Sequence, residues 1–407
     1  MGLRASEHRG TIIILYFVTV VMRACFFITL AVIQSQTYMG GALEGWEPSA
    51  VMIIYPIAEL STVSIFGSYS DKIGRKPILV ASLFVTSITS LVFALNSIPM
   101  LLLPLALVFG VAIAAEVTTS LSIIADCSGE DNRARLMGYF DLSTLMGLAG
   151  GYGLGVLLLQ FGFEPVFIIL IGFVACLFSG FLAVFGIKET RHVVDEEVSM
   201  VALLRKVAGD KRIQALLPVY VPIIALYGLV IQNTESLLET HFSLTETDLL
   251  LLFAMLGGSL FLGVVVMGHL SDRYKLRRPF IVTGLIAFGA LVYVLFAFAD
   301  HFTDLWGVWP IVPLLGFAAG SFPPAALAYL TDVSDKDARG STMGVYSIFF
   351  GSGMIIGPAL GYPIYGIYGL LGLSVLIGIL IAIACVGTYF MPEVHSAEQK
   401  SASIEQS

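Results

Sequence analysis

Long apolar runs alternate with short polar segments from residue 11 to residue 391. A helix needs about 20 apolar residues to cross a hydrocarbon core ~30 Å thick. The pattern predicts twelve such helices, near 11–37, 48–70, 77–97, 99–125, 134–160, 164–187, 213–237, 246–271, 279–299, 307–331, 340–366 and 369–391. The longest link, 188–212, separates six spans from six. The expectation is an all-α membrane protein with six-helix bundles at 1–187 and 213–392, a linker at 188–212 and a tail at 393–407. Within the linker, Ser199 is placed to cap Met200–Leu204 as a short helix lying on the membrane surface. The first run, Thr11 to Ile33, is too long for a cleaved leader and leads into further spans.

Charge assigns the two sides. All but one of the 21 basic residues fall outside the long apolar runs. They cluster in alternate links: Arg4 and Arg9; Lys72, Arg75 and Lys76; Arg133 and Arg135; six between Lys188 and Arg212; Arg273 to Arg278; Lys336 and Arg339; and Lys400. The intervening links carry only acids, Glu44, Glu47, Glu164, Glu246, Asp248, Asp300 and Asp304. An excess of Lys and Arg marks cytoplasmic loops. The expected location is therefore the plasma membrane, multi-pass, with both termini in the cytoplasm.

Composition agrees, with 57% hydrophobic and 12% charged residues and a mean hydropathy of +0.91. A chain so poor in basic residues does not suit nucleic acid. The four cysteines have no metal-box spacing and read as packing residues. No nucleophile–base set and no phosphate loop appears, so neither an enzyme nor a cofactor is expected.

The two halves are related by sequence. Gly67-Ser68-Tyr69-Ser70-Asp71-Lys72-Ile73-Gly74-Arg75-Lys76-Pro77 recurs as Gly268-His269-Leu270-Ser271-Asp272-Arg273, followed by Arg277-Arg278-Pro279. A second match relates Asp126, Arg133, Met137 and Gly138 to Asp332, Arg339, Met343 and Gly344. It continues with Gly147, Gly151 and Gly155 against Gly353, Gly357 and Gly361. Internal repeats of this kind mark secondary transporters, which handle substrate between the repeats.

Asp71, with Gly67, Gly74, Arg75, Lys76 and Pro77, resembles the loop 2–3 signature of the major facilitator superfamily. The weaker copy around Asp272 stands where that family has its loop 8–9 copy. The resemblance spans about residues 10–392 and implies two pseudo-symmetric six-helix bundles, a central cavity and alternating access, in a monomer. It also implies a cytoplasmic gate. Gly67 would admit a close helix and Gly74 the turn between spans 2 and 3. Asp71 would face the start of span 11. Arg75 would pair with an acid at the end of span 4, and Asp126 fits. Asp272, Arg273, Asp332, Arg339 and Arg133 complete the network and its mirror copy.

Span 5 carries Gly147, Gly150, Gly151, Gly153 and Gly155. Spacings of four put small residues on one helix face for close packing. Drug/proton antiporters of the superfamily have a glycine-proline motif in this span. Here Tyr152 occupies the matching position, and the Gly357-Pro358 pair lies in span 11.

Five ionisable residues fall well inside spans: Arg23, Glu59, Glu116, Asp141 and Glu235. Intramembrane charge is costly and usually functional. At about 1.5 Å per residue, Glu59 lies roughly 18 Å above the cytoplasmic edge, Glu116 roughly 15 Å, Asp141 roughly 12 Å and Arg23 roughly 21 Å. Spans 1, 2, 4 and 5 thus bring three acids and one Arg to a common slab. Three acids beside one cation cannot all stay ionised in a low-dielectric site. The expected proton carrier is Glu116, followed by Asp141, with Glu59 as a third candidate. Arg23 reads either as a permanent counter-ion or as an anchor for an anionic substrate. Glu235 belongs near the outer face with Asn233. Tyr220, Tyr227, Gln232, Asn233, Tyr329 and Tyr346 are candidates for shaping a substrate site, and Pro323-Pro324 is expected to break span 10.

These residues predict a proton-coupled transporter exporting small amphiphilic drugs or metabolites in exchange for H⁺. The alternatives are an H⁺ symporter of a small organic anion clamped by Arg23, and a sugar-type facilitator. The expected partners are a small-molecule substrate, protons and membrane lipid.

Overall fold

The computed structural model describes residues 9–35, 37–43, 46–127, 133–190, 209, 211–241, 246–274, 276–297, 310–333 and 339–391. Six helices make up the first half: α1 Arg9–Gln34, α2 Trp46–Ile73, α3 Arg75–Leu95, α4 Leu102–Cys127, α5 Arg133–Gln160 and α6 Pro165–Gly186. The second half begins with α7 Leu217–His241, α8 Glu246–Tyr274 and α9 Arg278–Ala297. The tenth span is two pieces, α10a Ile311–Ala319 and α10b Phe322–Val333. The last two, α11 and α12, form one helical run, Arg339–Phe390, broken at Gly369 with φ 59° and ψ −149°. That backbone conformation is open essentially to glycine alone. Nine helices among the described residues are long and apolar enough to cross a membrane, and Leu217–Asn233 adds a shorter apolar stretch. The fold is that of twelve spans in two six-helix bundles.

The break in the tenth span falls at Gly320 and Ser321, just ahead of Pro323-Pro324. The prolines therefore sit in the first turn of α10b, where a missing N–H costs nothing. Ser321 Oγ has the Ala318 carbonyl at 2.7 Å and the Phe280 carbonyl of α9 at 2.8 Å as acceptors.

Contacts divide the chain into two compact units. Unit 1 is Met1–Leu204 with Ile231–Glu239 and Met354–Tyr362; unit 2 is Arg205–Val230, Thr240–Gly353 and Pro363–Ser407. In unit 1, α1 packs on α5 and α6, α2 on α4, and α3 on α4 and α6. In unit 2, α8 and α9 pack on both pieces of the tenth span. Buried rings of Phe26, Phe27, Tyr55, Phe93 and Phe109 fill the middle of unit 1, with Phe26 stacked on Tyr55 at 4.0 Å. The sequence repeat is visible in the packing. A Cβ on Gly147 of α5 would meet the Val20 carbonyl of α1 at 2.5 Å, and one on its counterpart Gly353 of α11 would meet Ile224 of α7 at 2.5 Å.

Gly151 marks the tightest part of the α1–α5 seam. An added Cβ would stand 2.5 Å from the Ala24 Cα, inside the backbone of α1. No side-chain rotation relieves a clash with backbone, so the helices must separate. Gly151→Ala is expected to cost about 1–3 kcal/mol or more. A fall in the melting temperature of the purified protein, set against an unchanged Gly150→Ala control with open space at its Cβ, is the check.

Candidate functional site

The site of interest is the polar interior of unit 1, where α1, α2 and α4 bring ionisable side chains into an apolar surround. Arg23 lies midway along α1 and is 3% exposed. It forms a two-pronged pair with Glu59 of α2, Nη2 to Oε1 at 2.8 Å and Nη1 to Oε2 at 3.3 Å. Nη1 also donates to the Tyr55 hydroxyl, which lies one turn before Glu59 on α2. The stack with Phe26 holds the Tyr55 ring in place. Nε of Arg23 is buried with no partner. Pro56 sits inside α2 between the two partners. It has no N–H to give the Met52 carbonyl, which loosens the helix ladder beside the pair.

Glu116 of α4 is completely buried. Its Oε1 accepts from Thr19 Oγ1 of α1 at 2.6 Å and from Ser120 Oγ, one turn along its own helix, at 2.8 Å. Its Oε2 has no partner. Arg23 is near enough to interact with Glu116 through its charge, while its ion pair goes to Glu59. The two acids therefore differ in kind: one is matched by a cation and a phenol, the other by two hydroxyls on one oxygen only. Ionised carboxylates buried without a cation are costly.

Asp141 lies on α5, and its side chain is outside the described residues, as are those of Glu235, Tyr346, Asp71, Arg133, Asp332 and Arg339. Tyr227 of α7 stacks on Phe288 of α9 at 4.3 Å within unit 2. Tyr220 is buried between Phe322 and Phe349, and Tyr329 is also buried, so both are core residues. Asn233 is buried in the α7 segment that belongs to unit 1.

That segment is tied down by groups the sequence reading had not paired. Tyr152 Oη lies 2.7 Å from the Ile231 carbonyl and 2.7 Å from the Gln34 side-chain amide. Both are acceptors, the Gln34 atom being Oε1, and a phenol has one hydrogen, so Tyr152 donates to one of the two at a time. Gln232 Nε2 donates to Ser49 Oγ at 2.9 Å. Tyr152, which departs from the glycine-proline motif, thus anchors the end of α1 and one turn of α7.

Beside the α2–α3 turn of unit 1, Arg75 and Asp126 form an ion pair, Nε to Oδ2 at 2.6 Å. Thr190 Oγ1 donates to the same Oδ2 at 3.0 Å. Glu189 places its carboxylate over the start of α3, accepting from the backbone N–H of Arg75 at 3.0 Å and of Lys76 at 3.1 Å. Free N–H groups and the helix dipole favour an anion there. Gly74, at φ 124°, makes the turn, and any Cβ on it would press on Glu189 Oε2 at 2.8 Å. Gly67, expected to admit a close helix, has open space where a Cβ would stand. In unit 2, Asp272 pairs with Arg277 across its own turn at 2.6 Å, and Arg273 is exposed. The residue inserted before the second Arg pair lets that side chain fold back. Beside Asp126, burial and the neighbouring charge push the Cys127 thiol up to about 11, in keeping with a packing role.

The sequence reading missed Tyr55, Thr19 and Glu189. Thr19 and Tyr55 each stand four residues before a flagged ion, Arg23 and Glu59, and so share its helix face. Glu189 is an acid in a segment where the charge pattern calls for bases.

The profile for the Major Facilitator Superfamily matches residues 12–234 and 216–406. The chain is 30% identical over 323 residues to the tetracycline resistance protein, class G, of Vibrio anguillarum, covering 77% of this chain and 79% of that one. It is 25% identical over 327 residues to the proton-coupled antiporter flippase LtaA of Staphylococcus aureus, covering 77% of each. Among solved structures, the nucleoside transporter NupG superposes with a TM-score of 0.69 at 15% identity, over 94% of this chain and 99% of that one. This last likeness is one of fold.

Proposed function

Because this chain belongs to the Major Facilitator Superfamily, we infer that it is a proton-coupled secondary transporter. It works by alternating access, exporting small amphiphilic drugs or metabolites in exchange for H⁺. The observation that carries this reading is the contrast between two acids in unit 1. Glu59 is matched by Arg23, whereas Glu116 is buried with an unpartnered oxygen. A carrier that trades protons needs one carboxyl that is comfortable neutral and can become charged when the site faces water. The similarity to a tetracycline resistance protein and to a proton-coupled antiporter flippase supports the same reading.

With two acids and one Arg among the described side chains, the site has a surplus of negative capacity. That suits cationic or neutral amphiphiles. The Glu59 carboxylate and the Tyr55 hydroxyl occupy both terminal nitrogens of Arg23, which supports a counter-ion role over an anion clamp. The halves at 1–187 and 213–392 would move about the linker 188–212. Arg75, Asp126, Glu189 and Thr190 would hold the cytoplasmic side of the first half, with Asp71 and the Asp272 copy as further gate elements. The protein is a carrier rather than a catalyst, a plasma-membrane monomer with both termini in the cytoplasm.

The test is reconstitution into liposomes containing a pH dye, with a panel of organic cations, organic anions and sugars. Amphiphilic cations or neutral compounds are expected to drive protons in the opposite direction. Protons moving together with an organic anion, and lost with Arg23→Ala, would overturn antiport in favour of symport. Solute that equilibrates with no proton movement would make the protein a facilitator.

A further inference from the structure

We infer that Thr19 on α1 is the positioning residue through which the protonation of Glu116 on α4 is felt by α1; this rests on the proton-carrying role proposed for Glu116. The Thr19 hydroxyl is fully buried and has one hydrogen. Two acceptors lie within its reach, Glu116 Oε1 at 2.6 Å and the Leu15 carbonyl of its own helix at 3.0 Å. They are alternatives. When Glu116 is ionised, the hydroxyl crosses to the carboxylate, and such charge-assisted bonds are roughly twice as strong as neutral ones. When Glu116 is neutral, Oε1 is an ordinary acceptor. The Leu15 carbonyl, the i−4 partner a helical threonine commonly takes, then competes on level terms.

The tie between α1 and α4 is therefore strong in one protonation state and optional in the other. Ser120 has no such effect. It stands on α4 itself, so its bond to Oε1 moves with the carboxyl and reaches no second helix. Arg23 lies one turn beyond Thr19, on the same face of α1, and grips α2 through Glu59 and Tyr55. One face of α1 thus holds α4 by a hydroxyl–carboxyl bond and α2 by an ion pair with the Tyr55 hydroxyl beside it.

Other groups surround the carboxyl. Arg23 from α1 and Glu59 from α2 interact with it through their charges, and so do Tyr55 from α2 and Cys176 from α6, where Cys176 also meets Cys25 of α1. α3 carries no titratable residue beyond Lys76. Asp141 is the acid on α5, with its side chain outside the described residues. The described bonds of the Thr19 hydroxyl go only to Leu15 and Glu116.

The experiment is a pH titration of the full chain in liposomes by infrared difference spectroscopy. It follows the protonated-carboxyl C=O band that is lost in Glu116→Gln, and so needs no substrate. Thr19→Val keeps the shape and removes the hydroxyl; Thr19→Ala, less crowded, is read in parallel. Losing a donor to the charged form moves the midpoint up, here by about one pH unit. Thr19→Ser is expected to restore the wild-type midpoint. A midpoint unchanged in both Thr19→Val and Thr19→Ala, with the band still lost in Glu116→Gln, overturns the role of Thr19 and leaves that of Glu116 standing. If Glu116→Gln removes no titrating band, the role of Glu116 falls, and that of Thr19 with it.

Discussion

Glu116→Gln is expected to collapse proton-driven accumulation of substrate while sparing exchange. If one proton is traded per substrate, a gradient of one pH unit is worth about 1.4 kcal/mol and sustains about a tenfold substrate gradient. A glutamine at this position has no proton to trade, so the ratio falls to one. Its side-chain oxygen still accepts from Thr19 and Ser120, which hold Oε1 in the parent protein. The fold is therefore retained. Counterflow of labelled substrate, which needs no net proton movement, is expected to persist. Uptake into inverted vesicles under an imposed pH gradient, measured beside counterflow, separates the two. A variant that still concentrates substrate would move the proton to Asp141 or Glu59.

Breaking the Arg23–Glu59 pair is expected to be the largest single loss of stability in unit 1. Glu59→Leu leaves a guanidinium buried at 3% exposure with its charge unmatched. Removing one partner of a buried pair typically costs about 3–5 kcal/mol. That is a large part of the stability of any domain. The double variant Arg23→Met, Glu59→Leu removes both charges and fills similar volume. It is expected to recover most of the loss, because burying a matched pair gains little over burying apolar groups. Thermal melting in detergent is the first readout. Transport by the stable double variant is the second. Full activity would make the pair an assembly device, and a stable but inactive protein would place it in the transport cycle.

Both predictions begin from residues that stood out in the sequence. A charge in a long apolar run has few explanations, and the rise of a helix converts its position into a depth. Sequence position alone therefore puts Arg23, Glu59 and Glu116 in one slab. Depth says nothing of azimuth. Which acid faces Arg23 depends on how α2 and α4 rotate against α1, and that is set by shape. The pair went to Glu59 because Tyr55 and Phe26 fix the facing turn of α2. Glu116 was left to Thr19 and Ser120.

Short polar residues were harder to read. Threonine and serine are common in spans, where most bond back to their own helix, as Thr29 does to Cys25 and Thr89 to Val85. Thr19 differs only in having a carboxyl opposite. Tyr152 gave a signal, since it stood where related antiporters have proline, but its partners lie on α1 and α7, far away in the chain. Glu189 takes the backbone N–H groups at the start of α3, more than a hundred residues earlier.

The sequence by itself determined the twelve spans, the repeat and the ionisable residues Arg23, Glu59 and Glu116 within them. Each of these is written in local hydropathy or in residue identity, and the cost of burying polar groups in lipid enforces it. Gly369 breaks the last helical run where the sequence places the boundary between its final two spans. Only the tertiary structure decided the partners Arg23 with Glu59, Glu116 with Thr19 and Glu189 with the start of α3, whereas Arg75 with Asp126 is the pair the family resemblance implies. The physical reason is that a hydrogen bond or ion pair is specified to within a few tenths of an ångström. Helix rotation and close approach at residues such as Gly147 and Gly151 set that distance, and both are properties of the packed bundle rather than of any one segment.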